Sequence, residues 1–354
     1  MRFLLPAVII VASLAPVLRA QEEPSRDLLM KRGGANAESE AGVARGLAWL
    51  SRQQTADGHW EFDGTSKDQA AATGIALLPF LGAGEDHKNA VKYQKTVAKA
   101  LQWLLDKQGK DGSVGTADMY AHAIATMALC EAAWRADDAK VKEKAADAVN
   151  FIVRAQGANG SWGYFGLVQM EGDTSIVGWQ IQALSAAKRA GIAVDDKVFK
   201  QADKFLMSVS TDGGAKYGYR EKGASQTLTP VGLLSRNSMG KLDVTDKAFA
   251  NGIDFLKQYP PKESYLDMYY YYYATQVAFR AGGDNWHKFW NPKMRDLLID
   301  LQNKGGGDET RGSWDKDGGY IGTSCGKLGT TALAILTLEV YYRFPAGGDP
   351  KRRR

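Results

Sequence analysis

A unit of about fifty residues recurs six times along this chain, and repetition at that period restricts the fold to stacked copies of one small supersecondary element. Each copy opens with a short amphipathic segment: GLAWLSRQQ from Gly46, ALQWLLDKQ from Ala100, AVNFIVRAQ from Ala148, ADKFLMSVS from Ala202, GIDFLKQYP from Gly252 and MRDLLIDLQ from Met294. Its fourth place holds Trp49, Trp103, Phe151, Phe205, Phe255 and Leu297. A polar, glycine-bearing turn follows most copies, as at Asp57-Gly58, Asp111-Gly112 and Asn159-Gly160. A second helix, rich in Ala, Gly and Thr, closes each unit. One-face amphipathic helices suit an outer layer, and small-residue helices suit close packing on several sides. Six of each close into a ring. An open array needs polar capping repeats at its ends, but the last unit, LGTTALAILTLEVYYRF, is as apolar as the middle ones. The five consecutive tyrosines Tyr269 to Tyr273 have strand propensity, yet their flanks extend a helical pattern through Phe279. The expectation is an all-α protein, an α/α toroid of six helical hairpins around a central cavity, over residues 41–345.

The ends read differently. Residues 1–20 have a basic start, an apolar run and a small-residue finish, the layout of a secretory signal peptide. The run is short and broken by Pro6 and Pro16, which argues against a spanning helix. Residues 21–40 read as a flexible lead-in and residues 346–354 as a disordered basic tail. Six of the 45 basic residues lie in the signal and tail, leaving 39 against 40 acids in the body. A neutral body lacks the basic surface that nucleic-acid binding requires. An exported, periplasmic or secreted monomer with no membrane anchor after cleavage is expected. Two cysteines in such a protein invite a disulfide, but Cys130 sits late in its helix and Cys325 before the start of its own, so no bridge is expected.

The pattern Gln-x-x-Asp/Asn-Gly-x-Trp after an aromatic-bearing helix, at Gln54 to Trp60, Gln108 to Val114, Gln156 to Trp162 and, in part, Gly312 to Trp314, resembles the repeat of squalene cyclases and protein prenyltransferases. The resemblance covers nearly the whole chain after the lead-in. The resemblance extends to exported prenyltransferase/squalene-oxidase-repeat proteins. It implies a toroid with a central funnel and says little about chemistry, because such folds host many functions. The family's enzymes carry short motifs that this chain lacks. In place of the cyclase Asp-x-Asp-Asp acid stands Asp315-Lys316-Asp317-Gly318. Cys325 has no histidine near it to complete the prenyltransferase zinc set. Ser324-Cys325-Gly326-Lys327-Leu328 lacks the Glu-Gln pair of a thioester domain. No cofactor and no metal are expected.

Candidate residues come from the second helices. Asp68, Asp118, Asp173 and Asp267 each precede one, as N-caps do. In a closed ring these helices run the same way, so their first turns converge on one mouth. Tyr120, His122, Trp179 and the tyrosines, in particular Tyr269, Tyr270 and Tyr273, share those turns. Five successive residues span a helix circumference, so at least one tyrosine faces inward. Asp173, Asp267 and His122 are the catalytic candidates. The leading reading is a protein that binds a lipid, isoprenoid or glycan in its central cavity. The alternatives are a divergent terpenoid cyclase or polysaccharide-active enzyme using cavity acids, and a protein-interaction scaffold.

Overall fold

The structure, a computed structural model, describes residues 25–116, 118–167 and 171–343. The stretches read as a signal peptide and a basic tail lie outside them. Two helices come first, α1 (Arg26–Gly33) and α2 (Ala37–Gln53). Then follow α3 (Gln69–Gly82), α4 (Gln94–Asp106), α5 (Met119–Ala136), α6 (Ala139–Arg154), α7 (Thr174–Arg189) and α8 (Asp196–Ser208). The second half comprises α9 (Leu228–Ser238), α10 (Lys247–Leu256), α11 (Met268–Ala281), α12 (Asn291–Leu301), α13 (Tyr320–Ser324), α14 (Gly326–Leu338) and α15 (Val340–Arg343). The strands β1 (Ser210–Thr211) and β2 (Lys216–Tyr217) form a small antiparallel ribbon.

The chain folds as the repeat dictates. Helices α3, α5, α7, α9, α11 and α14 pack each on the next, and α14 packs back on α3. That closes an inner ring. Helices α2, α4, α6, α8, α10 and α12 lie outside it against their neighbours. Inner helices are buried nearly all round (thirteen of the fourteen residues of α3 are buried), whereas α4 buries only Val97, Ala100, Leu101, Trp103 and Leu104. That contrast is what the two compositions predict.

The turn motif has a mechanical explanation. The Gln54 amide donates to the Gly58 carbonyl in its own turn and to Thr96 on the next outer helix, at 2.8 and 2.9 Å. Gln108 does the same to Gly112 and Lys144, and Gln156 to Gly160 and Val198. Each glutamine thus ties one repeat to the next. The turn glycine lies against that neighbour. Gly160 has φ of +87°, and a Cβ there would sit 2.1 Å from the Gln201 carbonyl oxygen, so only glycine fits. The tryptophans close the unit: the indole N–H groups of Trp60, Trp162 and Trp314 donate to the carbonyls of Leu50, Ile152 and Leu298.

Three features depart from expectation. The stretch read as a flexible lead-in is helical from Arg26, and α2 begins at Ala37. The reason is tertiary: the Trp286 indole donates to the Gly33 carbonyl at 2.6 Å, and Gly33 lies against Tyr341. A turn of π-helix, Asn285–Trp290, precedes α12. The final helix is split at Glu339 into α14 and α15. Helix α15 packs on α11 at the far end of the ring from the first turns. There Arg343 and Arg189 reach Glu131 at 3.0 and 3.3 Å. The carboxyl of Glu339, wholly buried beside them, is pushed well up by that burial. Cys130 and Cys325 are both free thiols.

Candidate functional site

The first turns of the inner helices converge on a cavity of about 470 Å³. Its deep wall is apolar, with Ile75 from α3, Ile124 from α5, Trp179 from α7 and Leu333 from α14. Its mouth is polar, with Ser66, Lys67, Asp68, Thr116 and Asp118. The two zones follow from where each residue stands on its helix. Cap residues precede the first turn and lie at the rim, and residues further along lie below.

All four acids are N-caps, as expected. Asp68 Oδ1 accepts from the Ala71 N–H at 2.8 Å, and its Oδ2 accepts the Thr116 hydroxyl at 2.5 Å. Asp118 Oδ1 takes the N–H groups of Tyr120 and Ala121. Burial, with the nearby Asp68 charge adding to it, raises the Asp118 carboxyl above the usual carboxylate range against the pull of those two bonds. These two acids line the cavity; the other two do not. Asp173 is fully buried behind the wall, where its Oδ1 accepts from the backbone of Ser175 and Ile176 and from the Ser175 hydroxyl. Asp267 joins α11 to α9, accepting from the Tyr270 N–H and the Thr227 hydroxyl.

The aromatic candidates divide likewise. Tyr120, Trp179 and Tyr269 line the cavity. Tyr273 does not; it packs edge-on against Trp179, while Tyr272 stacks on the same indole with ring centres 5.8 Å apart. Tyr270 points to the outer layer, donating to the Tyr259 carbonyl and meeting Trp290. Tyr271 also turns outward, to the Tyr265 carbonyl. One tyrosine of five therefore reaches the wall.

His122 is a structural pin. Its Nδ1 accepts from the Val114 N–H at 3.1 Å and its Nε2 donates to the Ala148 carbonyl at 3.0 Å. Burial pushes its pKa down to about 4, so the ring is neutral at physiological pH and holds the second turn against α6. Among the described residues, no group of three His, Cys, Asp or Glu is placed to hold a metal ion. Asp317 instead accepts from Met268, Gly319 and Gly322 N–H groups.

Sequence reasoning missed part of the wall. Phe62, Phe165, Tyr320, Ile321 and Cys325 also line it. Phe165 and Tyr320 are exposed at the mouth. They stand on loops or in the five-residue α13, where no periodicity marks an inward face. The Cys325 thiol is pushed up to about 12 by burial, with Asp317 and Asp63 adding to the effect. Asp63, from the first repeat, accepts from the Lys327 and Leu328 N–H groups and so caps α14 across the ring closure.

No protein-family model matches the chain. Over 283 residues it is 24% identical to a probable squalene–hopene cyclase from Sinorhizobium fredii, a match spanning 65% of this chain and 41% of that protein. The chain thus spans well under half the length of this curated relative. Among solved structures, an α-1,6-mannanase from Salegentibacter aligns with a TM-score of 0.63 at 9% identity, over 86% of this chain and 98% of that one. A type II terpene cyclase from Scytonema, solved with geranylgeranyl dihydroxybenzoate, gives 0.58 at 10% identity over 86% and 97%. A cellobiose 2-epimerase from Bacillus thermoamylovorans gives 0.60 at 11% identity over 84% and 98%. Identities this low speak for the fold alone. The closed double ring of helices and these neighbours give the chain a squalene cyclase-like α/α-toroid fold.

Proposed function

We propose that this protein, exported by its N-terminal signal, binds an apolar molecule of isoprenoid or other lipid character in its central cavity, with the molecule's polar end at the mouth. The observation that carries this reading is the gradient along the cavity wall. Ile75, Ile124, Trp179 and Leu333 lie deep, and Asp68, Thr116 and Asp118 lie at the rim. An apolar ligand gains about 25 cal/mol for each Å² it removes from water against such a wall. A sugar would press hydroxyls against aliphatic side chains that offer no hydrogen bond. The cavity also weighs against a pure scaffold, which needs none.

A second reading is a polysaccharide-active enzyme. One observation favours it: Asp68 and Asp118 stand at the same mouth, and burial raises the Asp118 carboxyl. A raised carboxyl beside a second acid suits a general acid, and the exposed Phe165 and Tyr320 rings would stack on a sugar. Native mass spectrometry of the protein purified from its own host, with extraction of any bound small molecule, separates the readings. A co-purifying isoprenoid or other lipid supports the first, and a bound oligosaccharide supports the second. A protein that arrives empty and binds neither farnesol nor a mannan oligosaccharide returns the scaffold reading.

A further inference from the structure

The hydroxyl groups around the cavity are oriented by the protein, and their orientation selects a head group. Asp173 begins the chain of bonds. It is fully buried, and its Oδ1 accepts the Ser175 hydroxyl. A carboxylate only accepts, so the Ser175 proton is committed to it. The Ser175 oxygen then accepts from the Tyr120 hydroxyl, 2.5 Å away. The Tyr120 proton is thereby spent inside the protein, and its oxygen can offer a ligand only lone pairs.

The rest of the wall repeats the pattern. Tyr269 donates to the Ser175 carbonyl at 3.4 Å. Thr116 donates to Asp68. Asp118 uses Oδ1 alone for its cap. The ammonium of Lys67, the cation among the described wall residues, stands exposed at the rim and gives one of its three N–H groups to the Gly64 carbonyl at 3.1 Å. Around Tyr120 the cavity therefore offers acceptors, its oxygen and the second oxygen of Asp118, while the hydroxyl protons of Tyr120, Tyr269 and Thr116 are spent inside the protein.

Capping alone does not account for Asp173. Ser or Asn would cap α7 as well. The Asp173 carboxyl is also within reach of the hydroxyls of Tyr164 and Tyr219. The nearby hydroxyls of Tyr164 and Tyr219 bond to each other. A buried acceptor that fixes the direction of the Ser175–Tyr120 bonds is what this carboxylate provides.

We infer that the cavity takes an apolar molecule bearing a hydrogen-bond-donating head, an alcohol or an amine, and rejects one with an anionic head such as a carboxylate or diphosphate. This rests on the cavity-binding reading above. Ser175 is a positioning residue that acts through Tyr120.

The test is calorimetric titration of the full chain with three probes that share one tail: farnesol, its methyl ether and farnesoic acid, at pH 8. Farnesol is expected to bind about tenfold or more tighter than either of the others, the worth of one good hydrogen bond. In Ser175→Ala the Tyr120 proton is released to donate, so the alcohol-to-ether ratio falls toward one. In Tyr120→Phe the ratio falls as well. The ratio is read within each variant, so a loss of folding stability does not mimic it, and the ranking on the unaltered protein stands without either variant. Ether or acid binding as tightly as farnesol overturns the inference and leaves cavity binding intact. Failure of all three probes to bind overturns both.

Discussion

The side-chain amide of Gln302 lies 2.9 Å from the carbonyl oxygen of Gly42, 260 positions away in the chain. The same amide donates to Gly312 in its own turn, which is the bond pair made by Gln54, Gln108 and Gln156. Here it joins the last repeat to the first. The ring is closed by the same device that builds it.

Removing that clasp should be costly. Gln302→Ala loses these two buried hydrogen bonds and the one its oxygen accepts from Arg45, and leaves two carbonyls without their donor. Urea unfolding should show a loss of about 2–3 kcal/mol. A change below about 0.5 kcal/mol would mean that helix packing alone closes the ring.

The turn glycines differ in what surrounds them. Gly160 lies against the next outer helix, whereas Gly240, with φ of +68°, has nothing within 4 Å of its would-be Cβ. Alanine at Gly240 should cost about 1 kcal/mol of backbone strain. Gly160→Ala carries the same strain plus a backbone collision and should cost at least about 1 kcal/mol more. Equal midpoints in denaturant would contradict this account of the motif.

His122 makes stability depend on acid. Its pKa in the fold is about 4, held down by burial from an ordinary 6.5. Between those values the unfolded chain binds a proton that the folded chain refuses, so stability falls as pH drops from 6.5 to 4. The contribution is about 3 kcal/mol over that window. His122→Gln should be less stable at pH 8 and show a shallower decline below pH 6.5, measured by denaturant titration at several pH values.

Filling the cavity separates binding from folding. Ile124 lines the deep wall. Ile124→Trp places an indole in the open space, so overpacking is mild, and the thermal midpoint should move by no more than a few degrees. Farnesol affinity should fall at least about tenfold. Undiminished affinity would place the ligand elsewhere.

Cys325 offers a chemical readout of the same space. Its thiol is protonated at neutral pH, raised to about 12, and the thiolate is the reactive form. Maleimide labelling at pH 8 should be slow, rise with pH, and slow further when farnesol is bound. Cys130, fully buried and also raised to about 12, should label only on unfolding. Mass spectrometry of the labelled peptides distinguishes the two.

Local chemistry made much of this structure legible in the sequence. The alternation of amphipathic and small-residue helices located both rings, and the Asp residues before α3, α5, α7 and α11 marked caps because capping needs only the next few residues. What the sequence hid is set by distant contacts. Helix α1 is ordered by Trp286, and α14 is capped by Asp63 from a segment that looks like plain loop. The tyrosine run was rightly helical, but which ring faces the cavity depends on the phase of α11 against α7, and only Tyr269 takes that position. His122 looked like a chemical candidate because polarity on an apolar helix is all a sequence can display. Its two backbone partners, Val114 and Ala148, lie on other segments.

Glu131, Arg189 and Arg343 meet beneath α15 at the far end of the inner ring. With Glu131, Glu339 and Arg343 buried there, the toroid, over its described residues, is a cup rather than a tube. Whatever enters past Asp68 and Asp118 must leave the same way, and no second molecule can push it through from behind. Loading and unloading share one doorway, so a substitution at Phe165 or Tyr320 that slows arrival must slow departure too.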